Sequence, residues 1–214
     1  KTFEFDDEFV KRGLKLLHMW GTCVYFDEPI ELSNIIVLDP QFLSQEIMGK
    51  LFSRDLRHNF NNGILKHSDL NKFWPKYMSH AENLMLSMEK FEICFKLKDN
   101  EVEFKNQRSI ITSYLPEDKH NDLSKYWPTI IPRKEIEIER IFSFNQVPSE
   151  MVSRLLVRFH DRIVDNIIWR RGVLLKHFNN ENKNENVLCL LEVKMSENLF
   201  EIRIRGKERK ECLE

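Results

Sequence analysis

The chain has 214 residues, enough to bury the core of one large domain or two small ones. Its hydrophobic fraction of 42% and charged fraction of 31% are typical of a folded globular protein, which excludes an intrinsically disordered chain. The formal net charge is −1, and neither half of the sequence has the strong basic excess that phosphate binding needs.

The sequence contains no membrane or secretion signal. No window approaches 18 uninterrupted apolar residues, and Lys1–Asp7 lacks the apolar run of a signal peptide. Four cysteines without a CxxC pair favour free thiols over a zinc knuckle or a disulfide framework; they are Cys23, Cys94, Cys189 and Cys212. We therefore expect a cytoplasmic protein in which any membrane association comes from other parts of the parent. Because the chain begins at Lys1 and not at Met, we expect it to be a segment of a larger protein.

In the first half, the pattern predicts amphipathic helices between short strands. Apolar spacing through Asp6–Trp20 indicates a helix that ends at Gly21. Strands are predicted at Thr22–Phe26 and Asn34–Leu38, and Asp39 followed by Pro40 is typical of a helix start. The next predicted elements are a strand at Ile64-Leu65, helices at Asn71–Tyr77 and Ala81–Phe91, a hairpin of Ile93–Leu97 with Val102–Phe104 around Asp99-Asn100, and a strand at Ser109–Leu115. This order suggests a winged-helix-like arrangement.

The second half begins after a charged segment with flanking prolines, Glu117–Pro132, which is the candidate linker. Alternating apolar and charged residues predict a half-exposed strand at Glu135–Phe144, and a helix is predicted from Pro148 through Ile163. Three strands follow, at Ile167–Leu175, Val187–Val193 and Leu199–Ile204, with a loop at Asn179–Asn186. The predicted fold class is α+β, with a winged-helix-like lobe at residues 1–122 and, at residues 123–214, a small antiparallel sheet backed by helix.

No catalytic constellation stands out. The six glycines are isolated, so neither GxGxxG nor a P-loop can form, and the seven histidines include no HExxH. A dyad of Cys23 with a histidine has no orienting partner in the sequence. We therefore predict a non-catalytic segment without a cofactor or metal of its own.

Two sequence motifs are candidates for protein–protein interfaces. One is the dense apolar sequence Leu16–Gly21 with Val24–Phe26 and Val37–Leu43. The other is a set of arginines at i, i+4 and i+8 followed by a tryptophan-containing motif; it comprises Arg154, Arg158, Arg162 and Trp169-Arg170-Arg171-Gly172. Arginine and tryptophan are enriched at binding hot spots, but a solvated stripe explains the arginines equally well. Composition leaves both interpretations open.

At these motifs the chain resembles the COR domain of Roco proteins, the segment that follows the Ras-like Roc GTPase. In the first half, the family pattern L-x-x-L-H-x-x-G stands at Leu14–Gly21. The remaining matches are a strand before an acidic-Pro turn at Val24–Pro29, L-S-N at Leu32–Asn34, D-P-x-[WF]-L at Asp39–Leu43, N-G-I at Asn62–Ile64, E-K-F-x-I in Leu84–Ile93 and Y-L-P at Tyr114–Pro116. Phe42 stands where many members have Trp, and Ile36 stands where some have an aromatic residue.

In the second half, the resemblance continues in the same order. The family motifs F-x-x-[MV]-P, S-R-L with a following Arg, and W-R-x-G stand at Phe144–Pro148, Ser153–Arg158 and Trp169–Gly172. The match covers nearly the whole chain.

The resemblance implies a non-catalytic scaffold of two lobes. The first would pack against the Roc GTPase in cis, with Leu17, His18, Ile36 and Phe42 as interface candidates. The second would mediate homodimerisation, with Arg154, Arg158, Trp169 and Arg170 as interface candidates. GTP or GDP and Mg²⁺ are expected on the parent's Roc domain, and the parent is expected to have GTPase activity, leucine-rich repeats and, in some architectures, a serine/threonine kinase domain.

The alternative from a different class is a winged-helix nucleic-acid-binding module. Its recognition helix would be Ser68–Tyr77, with Lys66, Lys72 and Lys76 on phosphates. The absence of a basic excess argues against it, so no nucleic-acid partner is predicted.

Overall fold

The fold is described from a computed structural model covering residues 6–98, 101–178 and 186–207. The predicted turn at Asp99-Asn100, Cys212 and all but the last residue of the predicted loop Asn179–Asn186 lie outside these ranges. The chain forms two compact units, which are described separately. Lys1–Asn61, Leu65–Phe91 and Asn100–Arg108 form the first unit, and Asn62–Ile64, Glu92–Asp99 and Ser109–Glu214 form the second.

The first unit begins with helix α1 (Asp7–Met19). The carboxylate of Asp6 accepts a hydrogen bond from the backbone N of Glu8, as expected of an N-cap. The helix ends before Gly21, whose φ of 71° lies in the left-handed region that favours glycine. The prediction of a helix at Asp6–Trp20 is therefore confirmed to within one residue at each end.

A two-stranded sheet follows α1. Strand β1 (Val24–Tyr25) pairs antiparallel with β2 (Ile36–Val37), and helix α2 (Ile30–Ser33) lies between them in sequence. The two predicted strands are confirmed at their centres, whereas the pattern gave no sign of α2. Cys23, Val24 and Tyr25 are buried, so β1 belongs to the interior of the unit, whereas Ile36 of β2 is exposed.

The helix predicted after Asp39 takes an unusual form. Asp39 Oδ1 accepts a hydrogen bond of 2.9 Å from the backbone N of Gln41, as the Asp-Pro start suggested. Residues Phe42–Met48 are π-helical and continue into α3 (Gly49–Leu51). Wide π turns are rare and occur often at functional sites.

The rest of the first unit consists of short elements around a buried core. The elements are strand β3 (Ile64–Lys66), helix α4 (Leu70–Phe73) and helix α5 (Ala81–Lys90). The helix predicted at Asn71–Tyr77 ends early because Pro75 cannot continue it. Trp74 is fully buried and its indole Nε1 donates a 3.1 Å hydrogen bond to the backbone oxygen of Ile47.

Strand β4 (Cys94–Lys96) pairs antiparallel with β5 (Arg108–Ile111), in a three-stranded sheet of order β3-β5-β4. The predicted hairpin partner Val102–Phe104 is wrong. Val102 is 92% exposed, and Phe104 begins a 3₁₀ turn in which its ring lies 4.4 Å from that of His67. The true partner is the next predicted strand, Ser109–Leu115, of which residues Thr112–Tyr114 form a 3₁₀ turn instead.

The segment Glu117–Pro132 is not a free linker. It contains helix α6 (Leu123–Tyr126), and the following Trp127 is only 7% exposed. Trp127 lies in a cluster with residues of the second unit, under the guanidinium of Arg205 at 4.1 Å from the ring centroid. A buried indole with a stacked cation fixes this stretch to the second unit.

The second unit is built on a five-stranded antiparallel sheet of order β6-β10-β9-β8-β7. Its strands are β6 (Ile136–Ser143), β7 (Ile163–Trp169), β8 (Gly172–Phe178), β9 (Asn186–Lys194) and β10 (Leu199–Gly206), and helix α7 (Met151–Arg158) lies between β6 and β7 in sequence. The fold class, α+β with helices and small sheets before an antiparallel sheet backed by helix, is confirmed.

Two predictions for this unit need correction. The single strand Ile167–Leu175 is two strands, because Arg170 and Arg171 form the turn between β7 and β8. The helix predicted through Ile163 ends at Arg158, and His160–Arg162 form a 3₁₀ turn. Arg162 therefore does not continue the helical stripe of Arg154 and Arg158.

Alternation along the strands places apolar side chains on both sheet faces. One cluster packs α7 residues such as Val152 and Leu156 against Val173, Leu191 and Phe200. The other packs Trp127 with side chains of alternate position, which are Ile167, Trp169, Leu174 and Leu190. Each face of the sheet is therefore covered by its own apolar cluster.

Candidate functional site

The carboxyl end of α1 holds two of the predicted GTPase-facing residues. Leu17 is 37% exposed, and Nδ1 of His18 lies 3.5 Å from the backbone N of Tyr25 in β1, which donates to it. The imidazole ring also lies 5.7 Å from the ring of Phe26. His18 thus attaches the helix end to the neighbouring strand, and Leu17 remains available at the surface.

A second polar contact fixes α1 from the same side. Lys15 and Asp27 form an ion pair at 2.5 Å. The hydrogen bond from Lys15 lowers the pKa of the Asp27 carboxyl and raises the pKa of the lysine. No residue of α1 is fully buried, and these polar contacts help to hold the helix in place beside the half-buried Leu14 and His18.

An exposed apolar surface results from that arrangement. Large side chains that a folded domain normally buries stand in solvent at the end of α1 and in and just after β2. They are Leu16 at 49% exposure, Met19 at 78%, Trp20 at 73%, Ile36 at 40% and Leu38 at 80%. We call these five residues together with Leu17 the α1 surface.

Three of the four candidates for the GTPase interface lie on elements that contact β1. Leu17 and His18 are on α1, which contacts β1, and Ile36 is on β2, which pairs with β1. Phe42 is half-buried and packs edge-on against Tyr77 at 5.2 Å, in the π-helical segment. No comparison tests whether any of the four contacts a GTPase, so their role stays a prediction.

In the second unit, Arg154 and Arg158 converge on one carboxylate. Arg158 Nε lies 2.6 Å from Glu92 Oε1, and Arg154 Nε lies 3.5 Å from Glu92 Oε2. The arginine side chains are 65% and 63% exposed, whereas that of Glu92 is 22% exposed. Glu92 has a φ of 58°, and its two arginine partners hold the carboxylate end of this strained residue.

Trp169 lies inside the second unit. Its side chain is 1% exposed and packs with Trp127, Ile167, Leu174 and Leu190. A buried ring cannot cross an interface, so any contribution of Trp169 to dimerisation would be indirect, through the turn that it supports.

Arg170 is one of the two residues of that turn. Its guanidinium pairs with Glu117 and donates a 2.7 Å hydrogen bond to the backbone oxygen of Ser113, and Arg171 binds the other oxygen of Glu117 at 3.0 Å. The pair of arginines thus fastens the β7–β8 turn to the segment that follows β5. As with Arg154 and Arg158, a dimer role for Arg170 stays a prediction.

The sheet also contains a buried charge network that no sequence motif predicts. Glu192 and Glu201 are 6% and 4% exposed and lie directly opposite each other on β9 and β10. Glu192 pairs with Lys119 at 2.5 Å and Arg203 at 3.2 Å, and Glu201 pairs with Lys194. Two adjacent carboxylates are tolerated because each has its own cation. The available signal was a glutamate inside the otherwise apolar run of β9.

A groove of about 320 Å³ lies on the α7 side of the sheet. Leu155 and Phe159 form one wall and Phe200, Ile202 and Ile204 form another. Burial raises the pKa of the Cys189 thiol within it to about 11, so the thiol is protonated and weakly nucleophilic at neutral pH.

Within the described ranges, no cluster of three or more His, Cys, Asp or Glu side chains could hold a metal ion. In the same part of the chain, no helix combines the length and the apolar character needed to cross a bilayer.

Comparison with protein families identifies two regions along the chain. Residues 1–115 match the family model "C-terminal of Roc, COR-A domain", and residues 135–214 match "C-terminal of Roc, COR-B domain". The chain belongs to the COR family of Roco proteins. A COR region follows Roc, so the resemblance seen in the sequence is confirmed at this level. The predicted boundary between residues 122 and 123 stays a prediction.

The names of individual relatives include both kinases and proteases. The chain is 29% identical over 178 residues, 80% of its length, to "Probable serine/threonine-protein kinase pats1" of Dictyostelium discoideum, and 33% identical over 183 residues, 78% of its length, to "Probable serine/threonine-protein kinase roco11" of the same organism. It is also 21% identical over 205 residues, 95% of its length, to a prokaryotic "Roc-COR-CHAT protease". The chain spans 6%, 12% and 18% of these three relatives, respectively.

Proposed function

We propose that this COR region is a non-catalytic scaffold that couples the nucleotide state of an adjacent Roc GTPase to dimerisation and to an output domain. The observation that carries the proposal is the ordered match of both COR regions on a chain whose first helix has an exposed apolar side. Coupling of this kind is a free energy shared between sites: contacts that depend on nucleotide at one site bias association at another.

The α1 surface is the proposed docking site for Roc. It has six exposed apolar side chains in neighbouring elements, and its helix is held by polar contacts on another side. A partner that covers Leu17, Trp20 and Ile36 would remove apolar area from water without reorganising the core, which is the usual driving force of association.

The second unit is the proposed dimerisation region, and the parent protein is proposed to bind GTP or GDP with Mg²⁺ on Roc. The output domain is left open, because the printed names of the relatives include both kinases and proteases.

Binding to the parent's Roc domain tests the docking site. Leu17→Asp and Trp20→Asp should each weaken Roc binding in isothermal titration calorimetry by at least about tenfold, since a charge would be buried against an apolar partner. Val102→Asp is the matched control, because Val102 is 92% exposed and lies outside the α1 surface. Equal affinities for all three variants, with unchanged thermal unfolding, would refute the α1 surface as the docking site.

Sedimentation of the chain over a concentration series tests the dimer role. A chain that stays monomeric at high micromolar concentration, both alone and joined to its Roc domain, would contradict it.

No observation favours the nucleic-acid alternative. Helix α4 has four residues, Phe73 and Trp74 are buried, and Lys72 is engaged with Asp69 at 2.7 Å and Asn59 at 3.0 Å.

A further inference from the structure

The two edges of the five-stranded sheet are built differently. Natural proteins protect exposed sheet edges with bulges, prolines or lysines, because free backbone groups there can pair with another strand. Edge strand β7 has such a device: its register with β8 breaks between Ile163 and Ile168, where Asp165 and Asn166 have φ of 43° and 57°.

Edge strand β6 carries the charged residues Glu137, Glu139 and Arg140 but none of these three devices. Its register with β10 runs without a break from Ile136 to Ser143, and the strand contains no proline and no lysine. Within the described residues, no strand pairs with its outer side. Three large apolar side chains of the strand are exposed, namely Ile136 at 37%, Ile141 at 52% and Phe142 at 43%, and Phe144, just after it, is 38% exposed.

The hydrogen bonds show which residues offer free backbone groups. The backbone N of Phe144 donates to Asn198 at the start of β10, so the backbone groups of Phe144 point toward β10. Because the direction alternates along an antiparallel strand, Glu137, Glu139, Ile141 and Ser143 point their N–H and C=O groups outward. These groups form a regular row for a partner strand.

We propose that a second copy of this chain adds to this edge, so that two β6 strands pair antiparallel about a twofold axis at Ile141. The inference rests on the proposed dimerisation role and specifies the surface that serves it. Because the twofold axis is perpendicular to the sheet, the α7-covered faces of the two sheets would lie on the same side of the joined sheet. With the axis at Ile141, residue 141 would lie opposite its own copy in the partner chain.

Charge disfavours the two neighbouring registers on the Glu139 side. A twofold axis at Glu139 would place two glutamates opposite each other, and an axis at Arg140 would place two arginines opposite each other. Like charges directly across a ladder are destabilising. With the axis at Ile141, Arg140 lies opposite Phe142 of the second copy, Glu139 opposite Ser143, and Ile138 opposite Phe144.

These pairings are favourable for the side chains concerned. A guanidinium over a phenyl ring is a cation–π contact, which occurs twice in the symmetric pair. Pairing would also cover Ile141, which is more exposed than any other large apolar side chain of β6. The registers with the axis at Glu139 or at Arg140 offer no such combination.

Single-cysteine cross-linking in the full chain tests the register. Ile141→Cys should give a disulfide-linked dimer on mild oxidation, whereas Glu137→Cys should not, because its copies would lie eight residues apart, about 26 Å. Glu139→Cys and Arg140→Cys report the two rival registers. The unsubstituted chain gives the background from the native cysteines.

The dissociation constant of the dimer, measured by sedimentation, provides a second test. Ile141→Lys should weaken the dimer at least tenfold, and Val102→Lys, at a residue 92% exposed outside the sheet, should not. A dimer that forms normally with Ile141→Lys and does not cross-link at residue 141 overturns the β6 surface and leaves the dimer role intact. A chain that is monomeric at every concentration overturns both.

Discussion

At the scale of single residues, the motif Trp169-Arg170-Arg171-Gly172 has a packing explanation. Trp169 and Gly172 lie opposite each other where β7 turns into β8, and the indole folds over the glycine. A Cβ on Gly172 would lie 2.2 Å from Cζ2 of Trp169 and 2.6 Å from the backbone oxygen of Leu191. The motif therefore needs glycine for space, and its two arginines bind Glu117.

Gly172→Ala should destabilise the chain by about 2 to 3 kcal/mol, because overpacking against a fully buried ring and a backbone oxygen leaves no easy relaxation. Urea denaturation followed by tryptophan fluorescence measures the change. Gly13→Ala is the control: it lies within α1 with nothing within 4 Å of the added carbon, and should be neutral or stabilising by up to about 1 kcal/mol. Equal midpoints for both variants would contradict the packing explanation.

The candidate site residues show what sequence can and cannot predict at this scale. Leu17 and Ile36 were selected by resemblance, and both are partly exposed as an interface requires. The resemblance and the enrichment of tryptophan at interfaces both make Trp169 an interface candidate, but a large apolar ring is equally typical of a core, and one sequence cannot separate the two. Burial depends on partners distant in sequence, here Trp127 and Leu190.

At the scale of elements, prediction succeeded where the local signals were complete. Helix α1 has an acidic cap at one end and Gly21 at the other, so both ends were encoded within a few residues. The hairpin after β4 failed because strand pairing is not local: Val102–Phe104 is apolar at two of its three positions, yet β4 pairs with β5. The pattern predicts one strand at Ile167–Leu175 because the turn inside it consists of two arginines, which are not a usual turn signal.

Glu92, which precedes β4, forms ion pairs with two arginines of α7. The contribution of these ion pairs to the free energy of unfolding can be measured. Arg154 and Arg158 are mostly exposed, so solvent screens both ion pairs, and Arg154→Ala or Arg158→Ala should cost less than about 1 kcal/mol each. The double variant with Glu92→Ala should show coupling of the same small size in urea denaturation. If either arginine is instead part of the dimer surface, its substitution will weaken self-association while leaving the unfolding midpoint almost unchanged, which sedimentation detects.

At the scale of the whole molecule, the compact units and the family regions divide the chain differently. The COR-A match extends to residue 115, but Glu92–Asp99 and the residues from Ser109 onward belong to the second compact unit. Four side chains from this shared part are in the core around α7; they are Phe95, Leu97, Ile110 and Leu115, exposed by 3%, 6%, 2% and 2%. The sequence could not predict this exchange, because the linker-like composition of Glu117–Pro132 marked the strongest change of character along the chain.

Cutting the chain between residues 122 and 123 should therefore destabilise the second fragment. Residues 123–214 would lose those four buried side chains, each worth about 2 kcal/mol of burial, and the sum is comparable to the whole stability of a typical domain. Circular dichroism and thermal unfolding should show a fragment 123–214 that is unfolded or melts far below the full chain. A fragment 92–214, which keeps β4 and β5, is the matched comparison and should recover most of the lost stability. If fragments 123–214 and 92–214 unfold at the same temperature, the core around α7 does not depend on Phe95, Leu97, Ile110 and Leu115, and the predicted boundary at 122 is a true domain boundary.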